Sequence, residues 1–306
     1  MSYRSADTAN PIVAMVLSVM IVPLGVHSLQ AQTAGNTTPE SSRWFPSGLV
    51  VRPLIGSPAR VDIGGGPMAV KRDSSIVPAD YSPEADVAFG YRLPLLRLRD
   101  GSEGGPALDL SVEGGLVARF ALGSGHNGLI NSDFRAAFPL GMRFGARWEG
   151  IISLAHVSSH LGDNLLEQEP ITELKRVSRN GIEATALYRV AGGLRAYVGG
   201  DYNFSTARTE TWAGRFGVNL DREPDATDSH WLLGSADVAV SDMTDKLSFS
   251  ARAGVGLKTG SGELRFGVTA HHGPSEMGQF RTAEETFIGA FLSVVPGPAS
   301  RSGSIR

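Results

Sequence analysis

From Val61 onward the chain alternates apolar and polar residues with a period of two, segment after segment, and this pattern restricts its fold most. Leu108, Leu110, Val112, Gly114, Leu116, Ala118 and Phe120 share one parity. Asp109, Ser111, Glu113, Gly115 and Arg119 share the other, with Val117 the one apolar exception. The same alternation runs through residues 194–205, 247–258 and 264–271. Successive side chains of a strand point to opposite faces, so each segment reads as a strand with one apolar and one polar face. A soluble sandwich also alternates. Three features favour a closed barrel over a sandwich: strands near ten residues, about twelve of them, and Gly on both parities. Aromatics add to this, since Trp148, Tyr188, Tyr202, Phe204 and Trp231 fall where membrane-interface girdles would lie. The expected fold is all-β, an antiparallel transmembrane β-barrel of about twelve strands, of the bacterial outer-membrane type.

Connection lengths give the strands a direction. Short turns are expected at residues 144–147, 191–193 and 259–262, longer loops at 71–84, 161–179 and 273–286, with a middling turn at 221–229. With a periplasmic N-terminus, the strand from Trp148 runs outward and ends near the outer leaflet. At the start of the chain, Arg4 precedes an apolar run over 11–26 and a small, polar stretch over 28–34. Charged start, apolar centre and small-residue exit describe a secretory signal peptide, with cleavage after Ala31; a retained anchor is the competing reading. The expected organisation is a signal peptide over 1–31, an N-terminal periplasmic segment over 32–60, the barrel over 61–295 and a polar tail over 296–306. With 28 Lys+Arg against 31 Asp+Glu and no basic block, nucleic acid is not an expected partner. With no cysteine, thiolate chemistry and disulfides are excluded.

Chemistry concentrates in one segment, His156-Val157-Ser158-Ser159-His160-Leu161-Gly162-Asp163-Asn164. His156, Ser158 and His160 are two apart and share a strand face. Strict alternation groups them with Trp148, Gly150, Ile152 and Leu154 on the apolar, lipid-facing side. A polar pair facing lipid is costly. A bulge after Leu154 would turn His156 inward, so that His156, Ser158, Ser159 and Asp163 anchor the long loop from within, with Gly162 supplying a tight turn. The inward arrangement is the more economical expectation, since buried polar networks are common and catalytic triads rare. Other candidates are weaker. His271 and His272 are adjacent and so point to opposite faces, which argues against a shared metal site. Gly64-Gly65-Gly66 reads as a strand segment rather than a phosphate loop, since no helix pattern follows. Glu167, Glu169 and Glu173 read as a solvated loop, with calcium binding there a lesser reading for want of spaced ligands.

Several stretches resemble the outer-membrane proteins grouped as domain of unknown function 1207. Trp44-Phe45-Pro46-Ser47-Gly48, Arg52-Pro53-Leu54 and the pair Pro58 and Arg60 resemble that family's opening. Residues 114–120, Leu129-Ile130-Asn131-Ser132-Asp133-Phe134 and the 156–163 motif resemble its centre, and Gly278-Gln279-Phe280 its end. Asn164 stands where an acidic residue is expected, and the chain closes on a polar tail rather than a terminal aromatic. The resemblance implies a barrel in the bacterial outer membrane, in contact with outer-membrane lipids and delivered by the barrel assembly machinery. It implies a structural, ligand-binding or transport role and supplies no activity. A local similarity to the His-x-Ser-Asn arrangement of outer-membrane phospholipase A and lipid A deacylases implies the alternative, a lipid acyl-ester hydrolase. His156 would then be the base, Ser158 the nucleophile, and Asp163 or Glu183 the group orienting the base. Ser159 stands where that arrangement has Asn. No cofactor is expected apart from calcium in the hydrolase case.

Overall fold

The computed structural model describes residues 43–56, 62–73, 82–101, 105–123, 128–163, 165, 177–222, 228–260 and 262–296. Residues 1–42, Pro58, Arg60, Asn164, Glu167, Glu169, Glu173 and 297–306 therefore lie outside them, and with them the stretch expected to be a signal peptide, most of the expected tail and the acidic segment.

Twelve strands form in chain order: β1 (Ile63–Arg72), β2 (Glu84–Asp100), β3 (Ala107–Ala121), β4 (Leu129–Phe144), β5 (Trp148–Leu161) and β6 (Val177–Ala191). They continue as β7 (Leu194–Ala207), β8 (Trp212–Leu220), β9 (His230–Ser241), β10 (Ser248–Thr259), β11 (Gly262–Pro274) and β12 (Glu284–Pro296). Each is antiparallel to its neighbours, and β1 pairs with β12 to close the barrel. Closure removes both sheet edges, so strand backbone groups find partners without water. We call the rim where β1 begins and β12 ends the near rim, and the opposite one the far rim.

The alternation predicted from sequence sorts the side chains. Trp148, Leu154, Val198, Tyr202, Phe216, Leu232 and Ile288 are exposed on the exterior. Glu84, Asp109, Glu113, Glu149 and Glu285 are buried in the interior. Isolated charges there would cost several kcal/mol each, and every one is paired or hydrogen-bonded. Arg92 and Arg135 both reach Glu113, and Arg135 also forms a bidentate pair with Glu183, both bonds 2.6 Å. Arg72 and Arg119 bridge Glu84 on β2 and Glu285 on β12, tying the closing strands together.

Trp231 departs from the girdle expected for it. It is buried at 3% exposure, packed with Leu233, Phe291 and Ile55 inside the near rim. The reason is parity: Trp231 falls in step with the buried Ser235 on β9, whereas Leu232 takes the exterior.

Part of the N-terminal segment expected to be periplasmic, from Val50 to Ile55, lies inside the barrel. Phe45 pairs its N–H with Leu95 O on the stretch of β2 that extends past the first residue of β1. Val50 N–H then donates to Asp109 Oδ2 at 2.7 Å, and Ile55 N–H to Asn219 Oδ1 at 2.8 Å. Arg143 donates to Val50 O and Arg195 to Arg52 O, so interior side chains satisfy the main chain of a segment that belongs to no strand ladder. Val50 and Val51 pack with Ala107, Leu187 and Tyr197. At the far rim a second apolar cluster joins Ala121, Ile130, Leu165, Met277 and Phe280. Between them lies a cavity of about 120 Å³ lined by Leu54, Arg135, Glu183, Asp201 and Arg215 among others.

Candidate functional site on the barrel exterior

Strand β5 decides which way the central motif points. Its register with β4 is unbroken from Phe144↔Trp148 to Asn131↔Leu161, and its register with β6 is unbroken from Trp148↔Tyr188 to Ser159↔Val177. The bulge expected after Leu154 is therefore not there. Glu149, Ser153, Ala155 and Ser159 are buried inward, while Trp148, Ile152 and Leu154 are exposed outward. His156 and Ser158 continue the outward row, both half-buried near the far rim. The inward loop-anchor reading fails for this pair because a neighbouring strand meets the polar demand on the exterior, so no distortion is required.

That neighbour is Asn180 of β6. It lies directly across from His156, and the imidazole Nδ1–H donates to Asn180 Oδ1 at 2.8 Å. Pairing parity explains the closeness. Arg189 N–H donates to Arg147 O, so odd-numbered β5 positions are the hydrogen-bonded ones toward β6. His156↔Asn180 and Ser158↔Ser178 are then non-hydrogen-bonded pairs, whose Cα atoms approach to about 4.5 Å with side chains close. The bond fixes the tautomer, with the proton on Nδ1 and a lone pair on Nε2. Nε2 has no partner among the described residues, and Ser158 lies on the same face, one two-residue repeat of roughly 6–7 Å further along.

The remaining motif residues divide by parity. Ser159 points inward, donating from Oγ to Asn131 Oδ1 at 3.1 Å and accepting at its carbonyl from Gln279 Nε2 at 2.7 Å. The connection between β11 and β12 thus braces β5 from within, helped by Gly278 N–H donating to Asp133 Oδ2 at 3.1 Å. His160 is exposed outward, its ring edge-on to Phe134 at 5.6 Å. Asp163 is exposed beyond the end of β5, and Glu183 faces the interior in its pair with Arg135, so neither meets His156. At Gly162 the requirement is close approach rather than a tight turn, since a Cβ there would come within 1.7 Å of Leu129 O.

The weaker candidates separate as their sequence positions suggest. His271 is buried inside, accepting at Nδ1 from Ser250 Oγ at 2.9 Å with Nε2 at 3.0 Å from Pro274 O, while His272 is exposed and meets Thr286. Gly64, Gly65 and Gly66 lie within β1 between β12 and β2. No group of three or more His, Asp or Glu able to hold a metal occurs among the described residues.

Asn180 is the site residue that sequence reasoning missed. It sits 22 positions beyond Ser158, and only the β5–β6 register brings it to His156. Its one sequence signal is parity: Asn180 shares a face with Ile182, Ala184 and Ala186, an otherwise apolar exterior row.

The fold is similar to that of outer membrane phospholipase A from Escherichia coli, with a TM-score of 0.52, 12% identity, and coverage of 77% of this chain and 92% of that one. The Salmonella typhi outer membrane phospholipase dimer with bound calcium gives 0.52 and 12%, with coverage of 77% and 91%. An active-site asparagine-to-alanine mutant of the E. coli phospholipase gives 0.52 and 13%, with coverage of 78% and 91%. At such identities the likeness is one of fold. No curated protein matches the sequence. Residues 27–294 match the model of the family described as protein of unknown function DUF1207, and the chain belongs to that family.

Proposed function

We propose that this barrel resides in the bacterial outer membrane, with the far rim outward, and that it hydrolyses acyl esters of lipids at its exterior. The observation that carries the reading is the 2.8 Å bond from His156 to Asn180 on the exterior, with Ser158 on the same face. The exterior apolar band supports the location, since such a surface needs lipid to cover it. The phospholipases that share the fold agree with the reading, and the E. coli enzyme has an asparagine in its active site.

In this reading Ser158 Oγ attacks the ester carbonyl while His156 Nε2 takes its proton. Asn180 holds the imidazole in the tautomer that leaves Nε2 available. An amide suits this position better than a carboxylate, because an ionised group against hydrocarbon is expensive. The tetrahedral intermediate collapses to an acyl-Ser158 ester, and the departing alcohol takes the proton from His156. Water then releases the fatty acid by the reverse proton path. Phe134, Phe138, Leu154 and Ile182 are exposed around the motif and offer an apolar wall along which an acyl chain would lie. Calcium fits poorly, since Phe134 and the single hydroxyl of Ser178, and no carboxylate, flank Ser158 among the described residues, whereas calcium takes six to eight oxygens. Transport through the interior is the weaker reading because the chain from Val50 to Ile55 runs through it.

The test is fatty-acid release from phospholipid and from lipid A by the purified, folded barrel in mixed micelles, with and without calcium. The parent is expected to release fatty acid and Ser158→Ala to lose it. No release by the parent on either lipid would reject the reading.

A further inference from the structure

Acyl transfer at Ser158 needs hydrogen-bond donors for the oxyanion of the tetrahedral intermediate. Backbone N–H groups commonly serve, and here the ladder has already used them. Gly162 N–H donates to Ile130 O, and the β4–β5 register is unbroken below that point. Even-numbered positions of β5 are therefore hydrogen-bonded to β4, which commits Ser158 N–H to Phe134 and His160 N–H to Ser132. The odd-numbered N–H groups of Val157 and Ser159 are committed to β6 by the parity argued above. Among the described residues the donor must then be a side chain.

On the β4 side the residue opposite Ser158 is Phe134, which has no donor. On the β6 side it is Ser178, half-buried and in a non-hydrogen-bonded pair of the kind that brings His156 to within 2.8 Å of Asn180. We infer that Ser178 is a catalytic residue whose hydroxyl donates to the oxyanion formed when Ser158 attacks. As the Ser158 Oγ–carbon bond forms, the carbonyl π pair moves onto oxygen, and Ser178 O–H faces that charge. Collapse restores the carbonyl and expels the alkoxide, which His156 protonates. Ser178 neither gains nor loses a proton over the cycle. The inference rests on the hydrolase reading.

Threonine and valine at position 178 share a shape and differ by one hydroxyl, so the pair isolates the donor from packing. In mixed-micelle hydrolysis Ser178→Val is expected to lower kcat about a hundredfold with KM within about twofold of the parent, while Ser178→Thr stays within about tenfold. The pH–rate profile should keep the parent's midpoint in both variants. Equal kcat for Ser178→Val and Ser178→Thr, with Ser158→Ala inactive, overturns the role of Ser178 and leaves the hydrolase intact. Equal turnover by the parent and Ser158→Ala overturns both. Heat-modifiable migration in detergent gels confirms that each variant is folded before it is assayed.

Discussion

The serine–histidine pairs Ser250 with His271 and Ser158 with His156 lie on opposite sides of the barrel wall, and they differ in what is left over. Inside, His271 is buried with both ring nitrogens occupied, by Ser250 and by Pro274 O, and it stacks on Phe287. Ser250 Oγ is also 3.3 Å from Glu276 Oε1. Outside, His156 uses Nδ1 on Asn180 and keeps Nε2 available on the side that Ser158 shares. The residue types are alike; saturation and access separate a packing element from the pair proposed to react. A base with both nitrogens bonded has no free acceptor for a nucleophile's proton, whereas an oriented base with one nitrogen open does.

Mutating both pairs should break the symmetry between them. Ser158→Ala or His156→Ala is expected to lower lipid-ester hydrolysis by about 10⁴-fold or more, whereas Ser250→Ala or His271→Gln should leave it within about threefold. Fatty-acid release measured on all four variants makes the comparison. Stability should respond the other way. Arg135→Ala removes the bidentate partner of Glu183 and leaves Glu113 with Arg92 alone, an expected loss of roughly 3 kcal/mol in urea unfolding from vesicles.

An intermediate effect is expected from Asn180→Ala. Losing one orienting hydrogen bond worth about 1.5–3 kcal/mol lowers kcat roughly tenfold to a hundredfold. Asn180→Asp keeps an acceptor but adds a charge at the lipid surface, so a substitution that is better in water should do no better here.

The smallest effect concerns the far rim and is silent at neutral pH. Burial alone would push the Glu210 carboxyl up, but the Arg281 and Arg179 guanidiniums, the latter 2.6 Å away, pull it down to about 2. Because the folded value lies below the ordinary 4.5, the stability this group contributes is complete above about 4.5 and is lost as pH falls toward 2. Unfolding midpoints across that window should fall in the parent and fall less steeply in Glu210→Gln.

Much of the barrel was legible because period-two alternation is local: each strand announces its own faces and needs no partner to be read. The apolar row through Leu154 and the polar row through Glu149 follow from that alone, as does the opposite placement of His271 and His272. What was not legible depends on pairing. Asn180 meets His156 only through a register that no single strand encodes. The bulge expectation failed because the cost of an outward histidine was weighed without that partner. Trp231 misled by residue type, its parity outweighing the preference of tryptophan for a membrane interface. The inserted segment around Val50 and Ile55 carries no periodicity, and its place depends on interior arginines and asparagines far along the chain.

The most direct measurement of an exterior nucleophile is covalent capture with a lipid-like fluorophosphonate, in folded barrels reconstituted in vesicles, with the labelled residue located by peptide mass mapping. Modification at Ser158 that disappears in His156→Ala, with Ser250 unmodified in both, is the expected result. Absence of label at Ser158, or labelling of equal rate in His156→Ala, would contradict a catalytic role for the pair.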